Sequence, residues 1–589
     1  MSTPAPETSL KAVLIANRGE IAVRIARSAR DLGIRSIAVY SDADTGALHT
    51  LVADEAYHLP GNSASETYMN VPALISLAHK VGADCVHPGY GFLSENSDFA
   101  RAVVDAGLTW IGPTPESIDL LGDKIAARRV AVEVGAPLAP GTEDPIDNWE
   151  EARAFAEEHG MPIAIKAAYG GGGRGFRTAA DPSELQPALE SATREARSAF
   201  GRGECLIEQQ IVDPRHIETQ CLVDAAGTVH VVSTRDCTLQ RRNQKIVEEA
   251  PAPFLSEEQR ETVSAASERI LAHVGYVGAA TCEFLLGRDG RPTFMEVNAR
   301  IQVEHTVTEE VSGVDLVAWQ LRIAAGESLP SALPAPRGHS IEFRINAEDA
   351  RRGFFPATGR ISRYVPPAGP GVRLDSGVGV GTEVGTDFDP MLAKLIVTGE
   401  DRAQALARAR RALDEFTIEG VRTLIPLHRR LVDEPAFTED FTVSTHWLQS
   451  TYMTELDSPE EPMSVHTPTA EDVIDIVVEV EGHRMTVKVP AELARPAAPG
   501  ATTRRGGLRR KGSRREDDSP TLSAPMQGTI VTVEVSAGDT VEAGQRLAVI
   551  EAMKMEQPLT ATHAATVARV LVEEGQGVRA GEALIEFEA

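Results

Sequence analysis

The sequence predicts an α/β protein of several domains that ends in a small all-β domain. An apolar strand from Lys11 leads through Asn17-Arg18-Gly19-Glu20 into a helix, and a second apolar run, Ser36 to Tyr40, follows. This βαβ pattern indicates a parallel sheet covered by helices. At 589 residues the chain is also too long for one hydrophobic core. The last block contains an internal repeat of short apolar segments, which is typical of β structure.

Composition excludes several classes of protein. With 42% hydrophobic and 24% charged residues, the chain resembles an ordinary soluble protein. There is no run of apolar residues long enough to span a membrane, and no secretory signal at the N-terminus. A net charge of −28 disfavours a nucleic-acid partner. Five scattered cysteines without CxxC spacing indicate reduced thiols in a cytoplasmic protein.

Changes in pattern along the chain suggest domain boundaries. The strand–helix alternation continues to about Ile111, and a strand-like segment, Ser340 to Ile345, opens a later block. We therefore expect domains at 1–120, 121–334, 335–448 and 523–589, with a linker at 449–522. Within the linker, alternation around Glu481-Gly482 predicts a β-hairpin at 473–489. The seven Lys and Arg residues between 504 and 515 fit a solvated linker, with a docking patch for an acidic partner as the alternative.

The tail repeats itself with an offset of 37 residues, which predicts two similar β halves, each covering the apolar face of the other. The equivalent pairs are Ile530/Val567, Val533/Val570, Val535/Val572, Gly538/Gly575, Val541/Val578, Gly544/Gly581 and Leu547/Leu584.

Lys554 lies in the segment that joins these halves, where a turn would present its side chain. A lysine in a turn is ordinarily a solvated surface residue, but exposed methionines on both sides of it require a reason. The run Glu-Ala-Met-Lys-Met at 551–555 resembles the attachment site of biotinyl domains. The resemblance implies biotin joined by an amide to the Lys554 side chain. Lipoyl domains share the fold but usually lack both methionines, so they remain the less favoured alternative.

A glycine-rich loop follows a predicted strand at Pro162-Ile-Ala-Ile. The run Lys166-Ala-Ala-Tyr-Gly-Gly-Gly-Gly-Arg-Gly175 matches neither a P-loop nor the dinucleotide fingerprint. Glycines let backbone N–H groups approach phosphate oxygens closely, and nearby cations supply charge. A flexible loop without a ligand is the alternative on these residues alone.

Two carboxylates are predicted to face each other across a hairpin. Asp289-Gly290 is a strong signal for a two-residue turn, and counting outward from it pairs Glu283 with Glu296. Opposed carboxylates are unfavourable unless a cation separates them. Mg²⁺ binds carboxylates together with nucleotide phosphates, so we favour a metal site that includes Asn298 over a solvated hairpin.

The run Asn298-Ala-Arg-Ile-Gln-Val-Glu-His305 supplies a cation, an amide and a carboxylate in close succession. In an extended segment Arg300, Gln302 and Glu304 share one face. Such a face can hold a small planar anion through the arginine and amide donors while the carboxylate accepts a proton.

Together these segments resemble a biotin carboxylase of the ATP-grasp superfamily. The resemblance covers about residues 10–448 and includes His87-Pro-Gly-Tyr-Gly-Phe-Leu-Ser-Glu-Asn96, Arg235-Asp-Cys-Thr-Leu-Gln240 and Glu296-Val-Asn-Ala-Arg-Ile-Gln-Val-Glu-His305. It implies a Rossmann-like N-terminal domain, an ATP-grasp domain whose lid spans about 140–205, and a C-terminal α+β domain. A linker and the all-β biotinyl-type domain would follow.

Carried over residue by residue, the resemblance implies roles for most of the polar residues. ATP would be contacted by Lys124, Lys166, Gly172, Gly173, Glu208, Ile211, His216 and Gln240. Mg²⁺, or Mn²⁺ in its place, would be held by Glu283, Glu296 and Asn298. Bicarbonate would be bound by Arg300, Gln302, Val303 and Lys245, with Glu304 as general base and Arg344 stabilising the biotin enolate.

One position departs from the family pattern. The family run after Arg241-Arg242 is His-Gln-Lys, whereas this chain has Asn243-Gln244-Lys245. Asparagine can donate a hydrogen bond but carries no positive charge. We therefore leave Asn243 outside the core site and expect altered ATP affinity before any loss of chemistry.

The resemblance implies the α subunit of an actinobacterial-type acetyl- or propionyl-CoA carboxylase. Bicarbonate would attack MgATP to form carboxyphosphate, which releases CO₂ to biotin inside a closed site. Expected partners are a carboxyltransferase β subunit in a hetero-oligomer and a biotin protein ligase. A different ATP-grasp carboxylate–amine ligase and an inactive biotin-carrying scaffold are the alternatives.

Overall fold

The computed structural model describes residues 9–146, 148–168, 175–452, 473–480, 483–490, 521–524, 528–552, 555–578 and 581–588. The chain divides into two compact units, Met1–Glu455 and Leu456–Ala589. In the described part of the chain no helix combines the length and the apolar character needed to cross a membrane. All five cysteines are buried free thiols.

The first unit opens with the predicted parallel sheet, whose strand order is β3-β2-β1-β4-β5. Its strands are β1 (Ala12–Ile15), β2 (Arg35–Tyr40), β3 (Glu55–His58), β4 (Cys85–His87) and β5 (Thr109–Trp110). Its helices are α1 (Gly19–Asp31), α2 (Leu48–Val52), α3 (Val71–Val81), α4 (Ser97–Asp105) and α5 (Pro115–Gly122). Every residue of β1 is buried, as expected for a strand covered on both faces.

A small antiparallel sheet with two helices follows α6 (Lys124–Glu133). It comprises α7 (Trp149–His159), β6 (Ile163–Ala167), β7 (Phe176–Ala179), α8 (Leu185–Phe200) and β8 (Cys205–Gln209). The strand order is β7-β6-β8, and Ile163, Ile165 and Ile207 lie in its apolar core. Gly175 adopts φ +68°, and a Cβ there would lie 2.6 Å from that of Ala167, so only glycine fits where the chain re-enters the sheet.

An eight-stranded sheet forms the centre of the first unit. It contains β9 (Arg215–Val223), β10 (Val229–Arg241), β11 (Gln244–Ala250), β12 (Gly278–Leu286), β13 (Pro292–Asn298) and β14 (His339–Asn346), and two later strands, β19 (Val372–Ser376) and β21 (Met391–Gly399), complete it. The order is β13-β12-β9-β10-β11-β14-β21-β19. The helices α9 (Glu257–His273), α10 (His305–Ser312) and α11 (Leu316–Ala324) connect its strands. Because β11 pairs with β14, this sheet runs across the boundary that the sequence suggests near residue 335.

The remaining elements of the first unit are short. The strands are β15 (Glu348–Asp349), β16 (Phe355–Pro356), β17 (Gly359–Arg360), β18 (Arg363–Val365), β20 (Glu383–Val384) and β22 (Thr417–Glu419). The helices are α12 (Arg402–Glu415), α13 (Ile425–Leu431) and α14 (Pro435–Thr438), before a π-helical turn at Leu448–Tyr452.

In the second unit, β23 (Val473–Val480) and β24 (His483–Pro490) form the hairpin that the sequence predicts, with Val480 paired to His483. The later strands are β25 (Thr521–Ser523), β26 (Gly528–Val533), β27 (Thr540–Val541), β28 (Arg546–Ala552), β29 (Met555–Thr560), β30 (Ala565–Val570), β31 (Gly577–Val578) and β32 (Ala583–Phe587). They form two four-stranded sheets, β25-β32-β30-β27 and β29-β28-β26-β31.

The repeat of 37 residues is visible in this structure. Its equivalent apolar positions share one core; among them Ile530 and Val567 are both fully buried, as are Leu547 and Leu584. The repeated glycines Gly538 and Gly575 adopt φ +94° and +83°, so both halves turn in the same way. The prediction of two β halves around one core is therefore confirmed.

Candidate active site

The hairpin of β12 and β13 brings Glu283 opposite Glu296, as the sequence predicts. The predicted two-residue turn is wrong, however, because Leu286 pairs with Pro292 and the Gly290 N–H donates to the Gly287 carbonyl. Gly290 adopts φ +76°, which gives a type I turn followed by a left-handed glycine. A register shift between Glu283 and Phe284 then restores the expected pairing.

Glu283 is surrounded by hydrogen-bond donors. Its Oε1 accepts from Asn298 Nδ2 at 2.8 Å, from Gln302 Nε2 at 2.8 Å and from Lys245 Nζ at 3.1 Å. His216 Nε2 lies 3.1 Å from its other oxygen. Burial opposes ionisation, but Lys245 and His216 outweigh it and hold the pKa of Glu283 well below its usual range.

Glu296 behaves in the opposite way. Burial and the neighbouring charge of Glu283 raise the pKa of Glu296, and Lys124 only partly offsets this. A divalent cation between the two carboxylates would relieve their repulsion. The carboxylates and the Asn298 amide oxygen are the hard oxygen ligands that Mg²⁺ and Mn²⁺ take, so these residues fit such an ion.

The sequence predicts that Arg300, Gln302 and Glu304 share one face if the segment after β13 is extended. The segment is not extended. β13 ends at Asn298, and Glu304 is the N-cap residue of α10. Arg300 nevertheless contacts Asn298, one of the predicted metal ligands, since its Nη2 donates to Asn298 Oδ1 at 2.7 Å. Its Nε also lies 3.1 Å from Glu95 Oε2. Bends and a helix N-terminus, rather than strand alternation, therefore bring Arg300, Gln302 and Glu304 to one place.

Glu304 is held between two cations. Its carboxylate accepts from Lys245 Nζ at 2.7 Å and from Arg344 Nη2 at 3.0 Å. Burial opposes ionisation, yet Lys245 and Arg344 hold the pKa of Glu304 well below its usual range. Arg344, on β14, also donates to Glu248. The arrangement keeps a buried carboxylate ionised beside two donors.

Four of the residues that the resemblance assigns to ATP, Lys166, Glu208, His216 and Gln240, lie on strands of two sheets, and Lys124 begins α6. Lys166 on β6 pairs with Glu208 on β8, and Lys124 Nζ donates to the Ala167 carbonyl at 3.4 Å. Burial lowers the pKa of Lys124. On the central sheet, His216 Nδ1 lies 3.4 Å from Gln240 Nε2.

The other predicted positions are more peripheral or lie outside the described residues. Ile211 is half buried in the loop after β8. The Val303 carbonyl accepts a hydrogen bond from Lys394 Nζ at 2.9 Å. Gly172, Gly173 and Lys554 lie outside the described residues; in sequence Lys554 falls between β28 and β29, whose last pair is Ala552 and Met555.

Asn243 lies exposed in the tight turn between β10 and β11. Arg242 and Asn243 adopt φ +47° and +63°, the left-handed conformations of a type I′ hairpin turn. Asparagine is favoured in this conformation, which gives a backbone reason for its presence at this position.

The sequence interpretation missed the buried residues behind the site. Glu218 on β9 pairs with Lys245 and, at 2.9 Å, with Arg235, and both Glu218 and Arg235 have fully buried side chains. Arg235 also donates to Gln302 Oε1 at 2.6 Å. The sequence does contain a pattern that could have identified Glu218. His216, Glu218 and Gln220 occupy alternate positions along β9 and so share one face of the strand.

Four family models match successive parts of the chain. They are the biotin carboxylase N-terminal domain at 9–118, the carbamoyl-phosphate synthase L chain ATP-binding domain at 123–332, the biotin carboxylase C-terminal domain at 342–450 and the biotin-requiring enzyme domain at 520–587.

Relatives match over much or nearly all of the chain. The chain is 50% identical to the biotin-dependent acyl-coenzyme A carboxylase alpha3 subunit of Mycobacterium leprae, over 98% of both proteins. It is 45% identical to the biotin carboxylase of Pseudomonas aeruginosa, covering 75% of this chain and 98% of that protein.

Solved structures of carboxylases are also similar to this chain. The biotin carboxylase domain of Hydrogenobacter thermophilus 2-oxoglutarate carboxylase, in complex with MgADP, ADP and bicarbonate, matches with a TM-score of 0.73 and 43% identity over 77% of this chain and 99% of that one. A single-chain, multi-domain long-chain acyl-CoA carboxylase matches with a TM-score of 0.66 and 36% identity over 98% of this chain and 51% of that one.

These matches agree with the geometry of the site and with the β repeat, and membership among the α subunits implies a carboxyltransferase partner. The chain belongs to the biotin carboxylase family with a fused biotin-lipoyl domain, and, using ATP and Mg²⁺, it carboxylates biotin with bicarbonate as the α subunit of an acyl-CoA carboxylase.

Proposed function

We propose that Glu304 is the general base that deprotonates bicarbonate. The observation that carries this role is the position of its buried carboxylate between Lys245 and Arg344, at 2.7 and 3.0 Å. Both cations favour the ionised form, so the carboxylate is available to accept a proton. Deprotonated bicarbonate then attacks the γ-phosphate of ATP, which gives carboxyphosphate and ADP, and carboxyphosphate decomposes to CO₂ and phosphate.

Arg300, Gln302, Val303 and Lys245 would bind bicarbonate. Supporting this role, Lys245 Nζ and Gln302 Nε2 both donate to Glu283 Oε1, so the donors converge on one small region. A planar anion needs several donors in fixed directions, which the guanidinium of Arg300 and the amide of Gln302 supply. Lys245 would therefore contact both the general base and its substrate.

Eight residues would bind ATP: Lys124, Lys166, Gly172, Gly173, Glu208, Ile211, His216 and Gln240. The cationic members would neutralise the phosphates, and residues of about 140–205 would close over the nucleotide as a lid. Glu283, Glu296 and Asn298 would hold Mg²⁺, which supplies positive charge to the transferring phosphoryl group.

Arg344 would act in the second half of the reaction. Biotin on Lys554 supplies the ureido nitrogen that accepts the carboxyl group. The Arg344 guanidinium would stabilise the negative charge that develops on the ureido oxygen as that nitrogen gives its proton to the phosphate released from carboxyphosphate. Its hydrogen bond to Glu304 supports this role, because the residues proposed for the two steps are then in direct contact.

We further propose the organisation around this subunit. A biotin protein ligase would attach biotin to Lys554, and a separate carboxyltransferase β subunit would use the carboxylated biotin within a hetero-oligomer in the cytoplasm. The name of the Mycobacterium leprae relative, an alpha3 subunit, supports a partner on a different chain. We place the domains at 1–120, 121–334, 335–448 and 523–589, with a linker at 449–522.

The hairpin of β23 and β24 would dock on the β subunit. Deletion of residues 470–490 should weaken co-purification of the two subunits while ATP-dependent carboxylation of the chain itself is unchanged. Undiminished binding of the β subunit after the deletion would rule out this role.

The proposed function is tested by incubating the biotinylated chain with labelled bicarbonate and MgATP, beside Lys554→Ala. We expect ATP-dependent, acid-labile label on the protein and none on the variant. An avidin blot distinguishes biotin from lipoate on Lys554. Absence of label on protein that the blot shows to be biotinylated would contradict the active-site assignments.

A further inference from the structure

A cross-strand pair of cations holds two consecutive residues of the site. In the antiparallel pairing of β14 with β21, Arg344 lies opposite Lys394. Arg344 Nη2 donates to the Glu304 carboxylate at 3.0 Å, and Lys394 Nζ donates to the Val303 carbonyl at 2.9 Å. The register of one strand pair therefore delivers one cation to each residue of the Val303–Glu304 dipeptide.

Lys394 is an unusual residue to find in a core. Its side chain is fully buried, and the nearest carboxylate in an ion pair with it is that of Glu20 on α1, at 3.2 Å. Among the described residues, neither oxygen of Glu20 has a hydrogen-bond partner of good geometry. The well-aligned hydrogen bond of the ammonium goes instead to the carbonyl of Val303.

The acceptor of this hydrogen bond bears on the function of Lys394. Burying an ammonium group costs free energy unless it is paired and hydrogen-bonded. An ion pair that served only to join α1 to β21 would direct its best hydrogen bond at the carboxylate. Here that bond is directed at a neutral carbonyl in the segment that carries the proposed general base, so the geometry points to a function in this segment.

Holding the Val303 carbonyl fixes the backbone of Glu304. The peptide bond between Val303 and Glu304 is planar, so one hydrogen bond to its carbonyl constrains the orientation of the whole peptide group. Glu304 adopts φ −78° and ψ 9° as the N-cap of α10. With Lys245 and Arg344 on its carboxylate, Glu304 is then held at both its backbone and its side chain.

We propose that Lys394 is a positioning residue for biotin carboxylation: through the Val303 carbonyl it fixes the Val303–Glu304 peptide, so that the Glu304 carboxylate meets bicarbonate in a reactive geometry. Lys394 acts through Glu304 and touches no substrate. The inference deepens the proposed role of Glu304 and rests on it.

The test uses the full biotinylated chain with Lys394→Met, which removes the ammonium group and keeps the length of the side chain. Because a misplacement of about 1 Å can cost about 100-fold in rate, we expect kcat for bicarbonate-dependent ATP cleavage to fall about 10- to 100-fold. The KM for ATP should stay within about twofold, since Lys394 contacts none of the residues assigned to ATP. Lys394→Arg, which keeps a charged donor, should restore most of the rate.

Glu20→Gln separates positioning from folding. The single variant should keep the wild-type kcat, because Glu20 does not contact the Val303–Glu304 segment. Glu20→Gln combined with Lys394→Met removes the stranded carboxylate, so it should regain thermal stability but not kcat. A wild-type kcat in the folded double variant would show that Lys394 is only structural and would overturn the inference.

Glu304→Gln distinguishes failure of the inference from failure of the proposed function. If Lys394 acts through Glu304, adding Lys394→Met to Glu304→Gln should cause little further loss, whereas an additive loss would contradict the inference. Full activity of Glu304→Gln alone would overturn the proposed general base, and with it the positioning role.

Discussion

Lys245 and Glu304 form a buried ion pair in which Nζ lies 2.7 Å from a carboxylate oxygen. The same ammonium group contacts Glu218 and, at 3.1 Å, Glu283. Burial lowers the pKa of Lys245, but these three carboxylates raise it well above the usual value. One lysine therefore supplies positive charge both to the proposed general base and to a proposed metal ligand.

Replacing Lys245 should change the pH dependence of the reaction. Glu304 must be ionised to act as a base, so activity is lost as the pH falls through its pKa, which Lys245 helps to lower. Lys245→Gln should raise that pKa and move the acidic limb of kcat/KM for bicarbonate to higher pH, in addition to reducing the rate. The measurement is a pH–rate profile at known bicarbonate concentration. Lys80→Gln, on the exposed surface of α3, is the control and should leave the limb in place.

Glu283→Gln and Glu296→Gln should each weaken the use of Mg²⁺. Loss even of a group behind a ligand typically weakens metal binding about 10- to 100-fold, so loss of a ligand should raise the half-saturating Mg²⁺ concentration at least about tenfold. A titration of ATP cleavage with Mg²⁺ measures this. Asp289→Asn, at the exposed tip of the same hairpin, is the matched control. An unchanged Mg²⁺ requirement in both Glu variants would exclude them as ligands.

Arg235→Met should destabilise the first unit. The variant removes the guanidinium partner of the fully buried Glu218 carboxylate and leaves Lys245 as its cation, so the cost should be up to about 3–5 kcal/mol, the range for breaking a buried pair. All four tryptophans, Trp110, Trp149, Trp319 and Trp447, lie in Met1–Glu455. Their fluorescence therefore reports the unfolding of this unit in the full chain during a denaturant titration.

Adding Glu218→Gln to Arg235→Met removes the carboxylate that has lost one of its two cations and should recover part of the lost stability. If the double variant is no more stable than Arg235→Met, the cost arises from packing around the guanidinium group and not from the loss of a cation beside the Glu218 carboxylate.

Asn243→His should alter ATP binding in a pH-dependent way. Histidine tolerates the left-handed backbone at this turn, and its charge appears as the pH falls. An exposed charge is worth up to about 1 kcal/mol, so the KM for ATP should be lower at acidic than at alkaline pH by up to about fivefold. Steady-state kinetics on ATP measures this. Asn243→Asp keeps the turn and reverses the sign, so a decrease in KM for that variant would argue against an electrostatic cause.

Much of the site was predictable because its spacing is local. The pairing of Glu283 with Glu296 follows from a turn signal and from antiparallel strand pairing. The predicted turn type is wrong, but the pairing is still correct because a register shift between Glu283 and Phe284 compensates for the longer loop. The shared core of Ile530 and Val567 likewise follows from the 37-residue offset, since equal spacing of apolar residues produces equal strands.

The sequence by itself therefore determined the chain of elements and the β repeat, because these depend on short-range periodicity, and its side-chain types supplied the proposed site residues. Only the tertiary structure decided which charges meet. Strand register in a sheet of eight strands places Arg235 opposite Glu218, and Lys394 reaches the Val303 carbonyl from a strand that follows it by 91 residues. Which groups neutralise a buried charge depends on long-range packing, and no local pattern encodes that.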